Sequence, residues 1–193
     1  MTSSLWRAVD NCFTGGNVPG AVELLEQFLT SHDAQKFSCL PGLYFSNSSA
    51  LVLREVNKFI ETTNLQFDVK AVYLEMNGFD INYDRWYFDF FAYADYEPRA
   101  EEMDWLCEWQ SEDWPQFKLL GMESAQEAFA WYHGQQVWRS QPELEPVYDA
   151  AMLLVMAKFA AFIGTSLKSG MLVRPIPLLA TAHGFESIAR YEP

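Results

Sequence analysis

The residues best suited to chemistry are three tryptophans and the carboxylates interleaved with them: Glu101, Asp104, Trp105, Glu108, Trp109, Glu112 and Trp114. On a helix the four carboxylates recur at i, i+3, i+7 and i+11 and share one face, with Trp105 and Trp109 one turn apart beside it. Three readings fit such a face. It is a solvated helix surface with its tryptophans folded onto the core. Or it is a docking surface for a cationic partner, the tryptophans acting as anchors and the carboxylates steering. Or it is a sugar site in a small hydrolase, with stacked tryptophan and a carboxylate pair as acid and base drawn from residues 75–113. In so acidic a chain no particular carboxylate pair stands out, and the docking surface is the expectation carried forward.

Other chemistry is sparse. Asp80-x-Asn82-x-Asp84 matches the first three ligand positions of a calcium loop, but Arg85 stands where the sharp turn needs glycine and Phe91 where a bidentate glutamate is needed. A polar hairpin loop is the expectation there. His32, His133 and His183 lack zinc-motif spacing, and no nucleophile with a local signature accompanies His183 in its glycine-containing turn. There is no phosphate-cradling loop, no nucleophile elbow and no dinucleotide fingerprint, so neither a metal nor a cofactor is expected. Cys12, Cys39 and Cys107 are odd in number and widely spaced, which suits reduced, buried thiols in a cytoplasmic protein rather than a disulfide framework. The first ten residues lack a basic region followed by an apolar one, so no signal peptide is expected.

Net charge decides which partners to expect. The chain of 193 residues carries −13, and Glu75–Asp113 alone holds twelve acidic residues against Arg85 and Arg99, which is −10. Nucleic acid and anionic membrane surfaces would be repelled, while a basic protein would be attracted; a homo-oligomer is left open. The balance of charge and size resembles that of bacterial antitoxin or immunity proteins, which neutralise basic toxins. That likeness implies a non-enzymatic binding role.

These residues need elements to hold them. Tyr83–Tyr96 has eight aromatics in fourteen residues. With period two, Trp86, Phe88, Phe90, Ala92 and Ala94 share one face, and Tyr87, Asp89, Phe91 and Tyr93 the other, so this is a strand covered on both sides. Before it, Val72, Leu74 and Met76 alternate with Ala71, Tyr73 and Glu75, and the loop 77–84 predicts an antiparallel pair.

Helices are predicted from Ser3 or Ser4 to Phe13, from Pro19 with Val18, Val22, Leu25 and Leu29 as its stripe, and from Ser48 or Ser49 with Val52, Val56, Phe59 and Ile60 inward. A further helix over Ala100–Trp109 would turn Met103, Leu106 and Cys107 inward. Ser124 and Glu127 have capping-box spacing for a helix ending near Gly134. Phe37–Phe45 predicts short extended pieces about Pro41-Gly42. The apolar run 146–163 is interrupted by Asp149 and Lys158 and falls short of about 20 apolar residues, so it reads as a core helix rather than a membrane span. Arg174–Pro177 suits an extended edge segment, and 187–191 a further short strand. Together these predict one α+β domain over 1–193, helix-rich, with a small antiparallel sheet centred on residues 69–95.

Overall fold

A computed structural model describes residues 3–79, 82–96, 104–185 and 188–193. Six α-helices flank a five-stranded mixed sheet among these residues, so the helix-rich α+β class holds. The sheet is built on β1 (Ala71–Met76), antiparallel to β2 (Tyr87–Tyr93) with Val72 opposite Ala92 and Leu74 opposite Phe90. The side chain of Asn77 closes this hairpin, accepting from the Tyr87 N–H at 2.8 Å and donating to the Arg85 carbonyl at 3.3 Å.

The sheet extends further than the sequence implies. β3 (Phe117–Lys118) pairs antiparallel with β2, β4 (Leu178–Ala182) runs parallel to β1, and β5 (Ala189–Tyr191) pairs antiparallel with β4. The spatial order β3-β2-β1-β4-β5 puts β1 at the centre and the aromatic strand beside it. Pro175 and Pro177 lie just before β4, and the Pro177 carbonyl accepts from the Val72 N–H at 3.1 Å, so this segment feeds an interior strand rather than an edge. A proline with its carbonyl turned to the neighbour costs the ladder nothing there.

Both faces are covered, as the two-sided aromatic pattern requires. Val72, Leu74, Met76, Trp86, Phe88, Phe90 and Ala92 belong to the main core, where Phe90 meets Phe59 at 5.3 Å and Phe88 meets Phe159 at 5.6 Å between ring centroids. The opposite face carries a smaller cluster of Ala71, Tyr73, Tyr93 and Leu179, roofed by Phe91, Tyr96, Trp105 and Leu106. Burying each large side chain of this kind contributes about 1.5–3 kcal/mol.

The helices pack mostly on the main face. α1 (Ser3–Thr14) lies on α2 (Val18–Ser31), which starts with Pro19 in its first turn and Asn17 Oδ1 accepting from the Gly20 N–H at 3.1 Å. α3 (Ser49–Thr63) buries Val52, Val56, Phe59 and Ile60 as predicted. α4 (Glu123–Gly134) and the short α5 (Val137–Ser140) lead to α6 (Glu145–Leu167), which packs against α2, α3 and β4. The helix region 142–167 is long and apolar enough to cross a membrane by length and composition, but 72% of its most apolar window is buried inside the molecule. It is the core helix.

Four further local expectations need correction. Residues 35–39 form a 3-10 helix, so Phe37–Cys39 is coiled rather than extended. Ser124 does not cap α4: the helix begins one residue earlier, with the Glu123 carboxylate accepting from the Gly121 N–H at 3.0 Å. Gly121 itself sits at φ +96° with no room for a side chain against the Tyr44 carbonyl, so the turn needs glycine. Cys107 is exposed, and Cys12 and Cys39 are only half-buried; burial pushes the Cys39 thiol up.

The fourth correction concerns the helix expected over Ala100–Trp109. Residues 100–103 lie outside the described residues, Asp104–Cys107 is a single 3-10 turn, and 108–116 has no helix. The sheet takes the backbone instead. The Gln110 N–H donates to the Ala92 carbonyl at 3.0 Å, Ser111 Oγ accepts from the Ala92 N–H at 3.1 Å, and Gln110 Oε1 accepts from the Ala94 N–H at 2.8 Å. Repulsion among like charges one turn apart also disfavours the helix.

Candidate acidic-aromatic cleft at the sheet edge

The cleft arises where β2 and β3 part. Continuing the register of Phe88 with Phe117 by two residues sets Pro115 opposite Phe90. Proline has no N–H to give, so the ladder stops there. The chain regains β2 only at Ala92, through Gln110 and Ser111. Between these points the segment bows away from the strand and leaves an opening of about 430 Å³. Asp89, Phe90 and Phe91 line it from β2, and Trp109, Glu112, Asp113 and Trp114 from the crossing segment.

Each wall has a reason to stay in place. Trp109 lies 4.9 Å from the Phe91 ring yet is 46% exposed, so one surface is packed and another is free. Trp114 packs edge-on to Phe59 at 5.4 Å, which ties the far wall to α3. Asp89 is half-buried. Burial pushes its carboxyl above the usual range, and Asp113 adds like-charge repulsion in the same direction. A hydrogen bond from Gln116 and the charge of Arg85 oppose the shift. Gln116 is itself held by Arg85, whose guanidinium donates to its Oε1 at 2.8 Å while lying 5.0 Å from the Tyr87 ring centroid. The result is a concave wall with one desolvated carboxylate at its base, two exposed carboxylates at its rim and indole surface on both sides.

The residues singled out in the sequence divide three ways. Trp109, Glu112 and Trp114 come together on this cleft. Trp105 does not: it roofs the smaller core, 4.9 Å from Tyr93 and 5.8 Å from Tyr96. Glu108 is exposed after the 3-10 turn, with its N–H bonded to the Trp105 carbonyl at 2.9 Å. Glu101 and the side chain of Asp104 lie outside the described residues. Asp89 and Phe91 were missed as site residues because the aromatic strand read as core; the signal was Asp89 itself, a carboxylate within an otherwise aromatic two-faced strand.

The remaining candidates sit elsewhere. His183 Nδ1 lies 3.1 Å from Glu75 Oε1 on an exposed ring, His133 Nε2 lies 2.9 Å from the Tyr148 hydroxyl, and His32 stacks on Phe28. Of the calcium-like loop, Asp80 lies outside the described residues, and the Asn82 amide donates to the Gly78 carbonyl at 3.1 Å. Among the described residues no three His, Cys, Asp or Glu side chains are placed to hold a metal ion. Comparison with protein-family models, with curated proteins and with solved structures finds no match to this chain.

Proposed function

We propose that this is a binding protein that takes up a basic protein partner, in the manner of an antitoxin or immunity protein, through the cleft between β2 and the 109–116 segment. One observation carries the reading: Asp89, Glu112 and Asp113 converge with Trp109 and Trp114 around a single opening of about 430 Å³. An arginine or lysine side chain of a partner is suited to it. Its apolar stem and flat or compact cation lie against indole faces, and its charge meets one half-buried carboxylate, Asp89, and two exposed ones, Glu112 and Asp113. The −10 carried by residues 75–113 of the sequence favours encounter with a cation.

The test uses the protein as bait in native lysate beside a Glu112→Lys/Asp113→Lys variant. A basic protein held in stoichiometric amount by the native chain and lost by the variant supports the reading. Retention of the same proteins by both overturns it. For that partner, reversal of Glu108, Glu112 and Asp113 should slow association and flatten its salt dependence. Trp109→Ala should instead speed dissociation by the equivalent of about 2 kcal/mol. Trp105→Ala should lower stability and leave both rates alone, because that ring roofs a core.

A further inference from the structure

The acidic cleft has a neighbour of opposite character. A second opening of about 300 Å³ lies on the α3 side of the same segment and shares Phe90, Trp114 and Gln116 with the first. Its charged lining is Glu55, Lys58 and Lys118. Glu55 lies 3.5 Å from Arg54. Neither lysine lies within ion-pair distance of a carboxylate among the described residues, although the chain has 26 acidic residues for 13 lysines and arginines. The Lys58 ammonium instead stands 5.6 Å from the centroid of the Trp114 ring, which separates the two openings. Two lysines against one glutamate, with Lys118 adding to the Gly121 hydrogen bond that lowers the nearby Glu123 carboxyl, thus leave a local excess of cation that abuts a local excess of carboxylate, with one indole between them.

We infer that the two openings act as one bipolar groove, and that the partner segment it fits is an extended stretch carrying a basic and an acidic residue two to four positions apart. This deepens the proposed function and rests on it. The basic side chain enters between Trp109 and Trp114 towards Asp89, Glu112 and Asp113. The acidic one crosses Trp114 to Lys58 and Lys118. The spacing follows from size: adjoining openings of these volumes have centres about 9 Å apart, close to the rise of three residues in an extended chain, and two to four positions bracket it. The same arrangement discriminates. A uniformly basic segment, which the net charge alone would attract, places its second cation against two lysines.

Blocked peptides acetyl-Gly-Arg-(Gly)n-Glu-Gly-amide, with one to three central glycines and in both orders of Arg and Glu, test this at low salt. Binding is read from the indole N–H resonances of Trp109 and Trp114 in the intact protein. The expected result is that the best mixed peptide binds about fivefold tighter than the same peptide with Gln for Glu, the size of effect given by two exposed ion pairs. It should exceed the peptide with a second Arg by more. Lys58→Glu/Lys118→Glu should invert the order and favour the doubly basic peptide. Should that variant not fold, Lys58→Gln/Lys118→Gln should abolish the preference for Glu. If the Glu and Gln peptides bind equally, the bipolar groove is overturned while a cation-binding cleft stands. If no arginine peptide moves either indole resonance, both the groove and the proposed function fail.

Discussion

At the scale of single residues, Asp89 is held in the cleft against its own solvation. Its folded-state pKa lies above the unfolded value of about 3.9, because burial disfavours the carboxylate. The folded chain therefore holds the proton more tightly, so the protonated side chain's contribution is complete below the unfolded pKa and is lost as pH rises through the folded one. Asp89→Asn should accordingly raise stability at pH 7, and the gain should shrink towards zero as pH falls to about 4. Urea denaturation of both proteins at the two pH values checks this; equal stability at pH 7 would show that Asp89 carries no such strain. A carboxylate kept at a cost to stability belongs to function more readily than to folding. This was only half legible beforehand. Trp109, Glu112 and Trp114 stood out by residue type, whereas Asp89 joins them only because Pro115 interrupts a strand pairing that lies 26 residues further along the chain.

Among the elements, those with a clean period were legible: the β1–β2 pair and the stripes of α2 and α3 follow 2.0 and 3.6 repeats that packing had no reason to override. The 104–116 segment was not, because its polar groups are claimed by Ala92 and Ala94, partners that no local window contains. Lys158 is the sharpest case. A charge in the middle of an all-apolar helix must reach solvent or find a partner on another element. It finds three. Its side chain is 1% exposed, its ammonium lies 2.7 Å from Glu26 Oε1 on α2, and it donates to the Leu40 and Leu43 carbonyls at 2.7 Å each. The Tyr44 ring covers it at 4.3 Å, which accounts for so exposed an aromatic. Burial lowers the lysine's pKa and Glu26 opposes that shift. The ion pair thus pins the 40–44 loop between α2 and α6. Lys158→Met should destabilise by about 3 kcal/mol, because it strands Glu26 and two carbonyls. Adding Glu26→Gln should restore part of the loss by removing the stranded charge. Chemical denaturation of the single and double variants gives both numbers, and a neutral Lys158→Met would show that the pin carries no net stability.

For the whole molecule, stability and binding fall on different parts. β1 has a strand on each side and core on both faces, and α6 is enclosed by α2, α3 and β4. The cleft wall at 108–116 is joined to the sheet by a few hydrogen bonds and by Trp109 resting on Phe91, and to α3 by Trp114 resting on Phe59. Local opening of such a wall needs little exposure of apolar surface, whereas freeing β1 or α6 amounts to global unfolding. Glu108, Glu112 and Asp113 give this wall three like charges with no lysine or arginine among residues 108–116, so self-repulsion also falls where the chain is least embedded. Native-state hydrogen exchange should therefore show β1, β4 and the middle of α6 exchanging last and together, at the free energy of global unfolding. Amides of 108–116 should exchange by a lower-energy opening whose population falls as salt screens the repulsion. A cationic partner that occupies the cleft neutralises the same charge and should protect the same amides, leaving α6 unaffected at matched global stability. If 108–116 instead exchanges with the core in every condition, the wall is part of the cooperative unit, and the cleft would have to receive its partner as a rigid slot.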